Sequence, residues 1–250
     1  MGPGTLPDPG IHPSAIVGDG VILRSTVRIG PGAVLQGPLD AQGGLRVEAR
    51  ALVGGPAQHR EGDAGRLQLG RDVHLHEGCT LHRGSPIGSG CTILGDRVRV
   101  MAYAHVGHDV ELGDDVTLAN GAQLGGHVRV GAGATIGARA ALHQFVQVGE
   151  GAMVAAGAFV SGDVLPWVVV AGDRARVRGA NRVALRRAGH GAFAGQVDAM
   201  VRLLSPGGGG GASARAHALD RWGAISPPVA AMLAFAGAER RRPLCPWSRS

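Results

Sequence analysis

Four histidines crowd the middle of this chain. His105 and His108 stand in AHVGHD, His127 follows Gly126, and His143 precedes Gln144 in ALHQF. Imidazole groups can move a proton near neutral pH or ligate a metal ion. The two chemistries ask for different neighbours. A metal site needs further ligands, and only Asp109 and Glu111 are near; H-x-x-H alone is a weak signal, so no metal is expected. Neither is a cofactor. The more telling feature is the interval, because His108, Gly126 and Gln144 are successive members of an 18-residue series. Such an interval matters only if the backbone itself repeats with that period.

It does. From Leu94 to Val160 an aliphatic residue falls at every sixth position: Leu94, Val100, Val106, Leu112, Leu118, Leu124, Val130, Ile136, Leu142, Val148, Val154 and Val160. Four residues after each comes Ala or Val, as in Val98, Ala104, Val110 and Val116. Neither a helix nor an open sheet has this period. A parallel β-helix does, with each hexad forming one flat side of a prism and sending one large and one small side chain inward. Three hexads make a coil, so residues 18 apart stack roughly 4.8 Å from one another on one side. Val106, Leu124 and Leu142 form one such column. His108 lies two places after the first, Gly126 and His127 two and three after the second, and His143 and Gln144 one and two after the third. His105 is expected at the corner just before this strip. None of these His residues falls on an inward register, which weakens a core role and makes the strip a candidate site.

Composition agrees with a turn-rich solenoid built on small aliphatics: 44 Gly, 4 Phe and a net charge of +6. All 25 basic residues are Arg, so no Lys can serve any site. A positive surface favours an anionic partner. Nucleic acid is not expected, because the Arg residues are scattered and aromatic stacking residues are scarce. Three Cys without metal-site spacing argue against a disulfide framework, and Cys79 falls on an inward register as a small core residue. MGPGTLPDPG lacks the features of a secretory signal and no stretch reads as a membrane span, so a cytoplasmic protein without a transmembrane segment is expected.

Along the chain, residues 1–10 read as an irregular lead-in, and hexads begin at Ile11, Val17 and Leu23. Loops interrupt the repeat near 54–67 (PAQHREGDAGR) and near 84–93, where RGSPIGSGCT predicts an exposed excursion. Pro166 is expected to close the last coil. The division is then a β-helix over 1–181 and a helical domain over 182–250, with helices in NRVALRRAG, AFAGQVDAMVRLLS, ARAHALDRW and PVAAMLAFAGAERRR, a flexible break at 207–211 and a loose tail, PLCPWSRS.

AHVGHDVELGDDVTLANGAQLGGHVRV, ALHQFVQVG and DVLPWVVVAG resemble the UDP-N-acetylglucosamine O-acyltransferase family, as does LHEGCTLHRGS at 75–85. The resemblance runs from about Ile11 to Arg187. It implies a left-handed parallel β-helix of hexapeptide repeats with a small C-terminal α-helical domain, assembled as a homotrimer. The activity it implies is transfer of a 3-hydroxyacyl chain from acyl carrier protein to the 3-hydroxyl of UDP-N-acetylglucosamine, the first step of lipid A synthesis, without a covalent enzyme intermediate. On this resemblance His108 is the general base, Asp109 orients it, and the backbone N–H of Gly126 meets the oxyanion. His105, His127, His143 and Gln144 would bind the sugar nucleotide and orient the acyl group, with Asn120 near the acyl chain.

The chain also departs from the family. The family's Q-D-L-K-Y loop becomes QHREG, keeping Gln58 but placing His59 where an acid stands. In GANRVALRRA, Asn181, Arg186 and Arg187 are retained, whereas Val183 replaces a Glu and Ala188 an Arg. Arg174 replaces a His near the nucleotide and could still meet a phosphate. Ala156 stands where a Gly often leaves the acyl groove open, which implies a shorter acyl chain. Two alternatives stay open from sequence: a related hexapeptide-repeat acyltransferase with another acceptor, or a degenerate trimeric scaffold.

Overall fold

The computed structural model describes residues 10–60, 65–204, 226–239 and 241–247. Among the described residues three sheets, parallel except for the last strand of the first, form the sides of a prism: sheet A with ten strands, sheet B with eight and sheet C with seven. Most strands have two residues, an outward one and then the large inward aliphatic, as in His105–Val106, Glu111–Leu112 and Thr117–Leu118. The small register lies one place before each strand, so Ala104 and Val106 both point inward and are fully buried. Two inward residues separated by one outward residue are what the alternation of a strand requires. The coils stack through backbone bonds such as Gly107 N–H to Leu124 O (3.0 Å) and Gly125 N–H to Leu142 O (3.0 Å). Aliphatic packing and these parallel ladders hold the prism together, and the same register fixes which outward residues share an edge.

At most corners the chain turns with its second turn residue in the left-handed region. Asp109, His127 and Phe145 occupy that position on successive coils of the B–C edge, with φ of 58°, 62° and 67°. Ile11 and Val17, on the inward register at the N-terminal end of the stack, are 46% and 39% exposed, since among the described residues a coil covers them from one side only.

Four expectations are corrected. Pro166 does not end the stack: it turns the C–A corner, where a fixed φ suits the turn and no ladder N–H is needed. The strand Val168–Ala171 then continues sheet A parallel to Met153–Val154, and an antiparallel partner, Arg176–Ala180, follows. His105 is not at a corner but inside the strand His105–Val106 of sheet B. The 84–93 segment is exposed at Pro86–Ser89 and at Ile93, while its neighbour Arg83 and its own Ser85 and Thr92 are buried. The tail is not loose over its described part, because Leu244 bridges Asp163, Trp247 bridges Val177 and Cys245 is 2% exposed.

Among the described residues three α-helices follow the prism: α1 (Arg182–Arg187), α2 (Ala194–Leu204) and α3 (Pro227–Gly237). Asn181 caps α1, and α2 buries Val197, Met200, Val201 and Leu204. The ARAHALDRW helix, the glycine break and most of the lead-in lie outside the described residues. Among the described residues no helix is long and apolar enough to cross a membrane.

Candidate active site

The B–C edge gathers the candidate residues. Sheet B delivers Val106, the chain turns through His108 and Asp109, and sheet C begins at Glu111. His108 Nδ1 lies 2.8 Å from Asp109 Oδ2. The Asp109 side chain is 1% exposed, so its charge needs partners, and the excursion near 84–93 supplies them. Ser85 donates from its N–H (2.9 Å) and hydroxyl (2.6 Å) to Oδ2, while Gly90 N–H (2.9 Å) and the Ser89 hydroxyl (3.2 Å) donate to Oδ1. Thr92 Oγ1 accepts the Asp109 N–H at 2.9 Å. Burial opposes the carboxylate, but the bonds from Ser85 and His108 outweigh it, and the Asp109 pKa lies below its ordinary value. An ionised Asp109 takes the Nδ1 proton of His108 as a hydrogen bond and leaves Nε2 with a lone pair.

That lone pair faces Gly126. A Cβ on Gly126 would sit 2.6 Å from His108 Nε2, so only glycine lets the ring lie against this backbone. Among the described residues no acceptor takes the Gly126 N–H. A base and a free backbone donor thus stand side by side.

The remaining expected residues divide between edges. His127 packs edge-on against His108 (4.9 Å between centroids) and stacks on Phe145 (4.5 Å). Burial first, with His108, Arg241 and His59 adding to it, keeps the His127 pKa below its usual value, against the pull of Asp109. His59 stands edge-on 5.7 Å from His108, placing the altered loop and exposed Gln58 at the same edge. His105 bonds Thr80 Oγ1 at 2.9 Å on the sheet B face, and burial with His82 beside it lowers its pKa to about 4. His143 and exposed Gln144 complete the edge. A cavity of about 590 Å³ opens here, lined by Ser89, Asp109, His127, Phe145 and Arg241. A second, of about 570 Å³, shares Glu111, Arg129 and Gln147 with it and runs along sheet C to Phe235 of α3. His108, Asp109 and His127 also bring three ligand atoms within 4.8 Å of one another, but both Asp109 oxygens are already engaged by donors.

Asn120 and Ala156, in contrast, are exposed on the A–B edge, two coils apart in one column. Arg174 is exposed in the turn after Ala171, beside the end of the same edge, where Ala175 N–H bonds Phe159 O at 2.9 Å. Asn181 uses its amide within the fold: Oδ1 accepts the Ala184 N–H (3.1 Å) and Nδ2 donates to Gly151 O (2.8 Å). Arg187 is exposed at the end of α1. No single edge holds all these groups.

Sequence reasoning missed Ser85, Ser89 and Thr92 as clamps of Asp109, and Phe145, Arg241 and Arg242 at the edge. For Thr92 and Phe145 the 18-residue series was a usable signal, since they flank the strip's own columns. Nothing local marked the arginines.

Comparison with known proteins agrees with the fold. Models of the bacterial transferase hexapeptide and of the hexapeptide repeat of succinyl-transferase match residues 92–126 and 127–161. A model of UDP-N-acetylglucosamine O-acyltransferase domain 2 matches residues 163–245. The acyl-[acyl-carrier-protein]–UDP-N-acetylglucosamine O-acyltransferase of Mesorhizobium japonicum is 50% identical over 200 residues, covering 72% of this chain and 71% of that one. The chain belongs to the UDP-N-acetylglucosamine O-acyltransferase family. The Bartonella bacilliformis member is 39% identical over 199 residues, covering 72% of this chain and 73% of its own. Among solved structures, the UDP-N-acetylglucosamine acyltransferase of Campylobacter jejuni superposes with a TM-score of 0.73 at 29% identity, over 96% of this chain and 100% of the other. As a member of this family of hexapeptide-repeat acyltransferases, the chain is an enzyme.

Proposed function

We propose that this acyltransferase moves a 3-hydroxyacyl chain from acyl carrier protein to the 3-hydroxyl of UDP-N-acetylglucosamine, the entry step of lipid A synthesis. The observation that carries the reading is the His108–Asp109 pair set against the free N–H of Gly126. His108 Nε2 takes the proton of the sugar hydroxyl as its oxygen attacks the thioester carbonyl. The carbonyl oxygen becomes an oxyanion, and the Gly126 N–H donates to it. Collapse breaks the C–S bond, and the leaving thiolate recovers the proton from the His108 imidazolium, whose charge Asp109 has stabilised. Atoms and charges balance without an acyl-enzyme.

The split of recognition residues supports a homotrimer. One chain places the base on its B–C edge and Asn120, Ala156 and Arg174 on or beside its A–B edge. Closed threefold association sets the first edge of one copy against the second edge of the next and completes the cleft. His127, His143 and Gln144 then meet the sugar nucleotide from one side, and Asn120 and Ala156 the acyl chain from the other. Arg186 and Arg187, exposed in the last turn of α1, give the acidic carrier protein a basic surface.

The test is an acyl-transfer assay with purified protein, UDP-N-acetylglucosamine and 3-hydroxyacyl carrier proteins of graded length. The expected result is an O-acylated sugar nucleotide with optimum activity at one chain length. Absence of product with every donor, from a folded assembly, would move the reading to a different acceptor or to a scaffold without activity.

A further inference from the structure

The described C-terminal segment, 241–247, is fastened to the end of the prism. Asp163 N–H donates to Pro243 O (2.7 Å), Cys245 N–H to Asp163 O (2.8 Å) and Val177 N–H to Pro246 O (2.9 Å), while the buried Cys245 thiol donates to Gly162 O (3.3 Å). These anchors carry Arg242 to the catalytic edge of the same chain. Its Nη2 donates to His143 Nδ1 at 2.6 Å and its Nε to the Gln144 carbonyl at 3.1 Å. Arg241 beside it lies over the Phe145 ring, 4.6 Å from the centroid.

The first contact has a consequence for the imidazole. A guanidinium carries donors only and keeps its proton, so a nitrogen that meets it must offer a lone pair. His143 Nδ1 has one other neighbour, the Gln144 carbonyl at 3.3 Å, which would require a proton on Nδ1 instead. The two demands are incompatible. The shorter, charge-assisted bond prevails over the 3.3 Å contact with the carbonyl. The ring proton therefore sits on Nε2. Were Arg242 absent, the Gln144 carbonyl would draw that proton to Nδ1 and Nε2 would become an acceptor.

The geometry points to Arg242 as a positioning residue that holds His143 in its Nε2–H form, a hydrogen-bond donor for an acceptor-only oxygen of the sugar nucleotide such as a diphosphate oxygen. This rests on the acceptor proposed above. Arg242 itself touches no reacting atom in this arrangement; it sets which way the His143 bond runs.

The test reads the tautomer and the kinetics separately. In the full-length protein with ¹⁵N-labelled histidine, long-range nitrogen–proton correlation spectra show which ring nitrogen of His143 bears the proton. Wild type should carry it on Nε2, and Arg242→Ala should shift it to Nδ1. In the transfer assay Arg242→Ala should raise KM for UDP-N-acetylglucosamine about tenfold, with kcat within about threefold and KM for the carrier protein unchanged. Arg242→Lys, which still supplies a charged donor, should keep the Nε2–H form and recover most of the affinity. An Nδ1–H tautomer in wild type overturns the inference without recourse to any variant. So does an Arg242→Ala protein with either tautomer or acceptor KM unaltered. Because the spectra need no substrate, a wild type inactive towards UDP-N-acetylglucosamine would sink the acceptor reading alone and leave the hold of Arg242 on His143 still decided.

Discussion

His108→Ala should lower kcat for acyl transfer by about 10³-fold, within the span that a positioned general base contributes, while leaving the melting temperature close to that of wild type. His108 is a turn residue outside both inward registers, so its removal opens no hole among the aliphatics. The loss should fall on kcat more than on KM, because proton transfer belongs to the transition state. His108→Gln is the sharper control: it preserves much of the volume and a hydrogen bond to Asp109 but offers no base of suitable pKa. A variant retaining more than about a tenth of wild-type activity would show that the base lies elsewhere, and His127, 4.9 Å away ring to ring, would be the next to replace.

Gly126→Ala should cost about 10²-fold in kcat, as expected when a donor to the oxyanion is displaced. The added Cβ would stand 2.6 Å from His108 Nε2 and 2.7 Å from Cε1. The ring cannot swing aside cheaply, because Nδ1 is tied to Asp109 at 2.8 Å and that carboxylate is itself fixed by Ser85, Ser89 and Gly90. The base or the N–H must move, and either displacement separates groups that have to act on one carbonyl. Gly126 is not among the glycines with positive φ, so its backbone tolerates alanine and any loss of stability comes from the displaced ring alone. Unchanged kcat in a folded Gly126→Ala protein would remove this N–H from the mechanism.

The prism was legible from sequence because its rule is local and repeated. Each hexad must place one large and one small side chain inward, and from Leu94 to Val164 neither register is missed. The column through His108, Gly126 and Gln144 followed from the same arithmetic. His105 was misplaced because the small register lies one place before each strand, which makes the residue between Ala104 and Val106 a strand residue and not a corner. The role of Ser85 was hidden for a different reason: a Gly- and Ser-rich break reads as solvent loop, and nothing local says that its hydroxyl is buried against a carboxylate 24 residues away. Arg242 was beyond reach altogether. Its contact with His143 spans 99 residues and depends on how the tail docks beside Asp163 and Val177, which no periodicity encodes.

The central claim is that one reaction centre is assembled from the B–C edge of one copy and the A–B edge of the next. It is tested by mixing two damaged chains, His108→Ala on the first edge and Ala156→Trp on the second, under co-expression and with a long 3-hydroxyacyl donor. Each variant alone should be nearly inactive. In randomly mixed trimers about a quarter of the clefts pair an intact B–C edge with an intact A–B edge, so activity should return to about a quarter of wild type. Mixed assemblies no more active than the average of the two variants would contradict the account, and would place the whole site on a single chain.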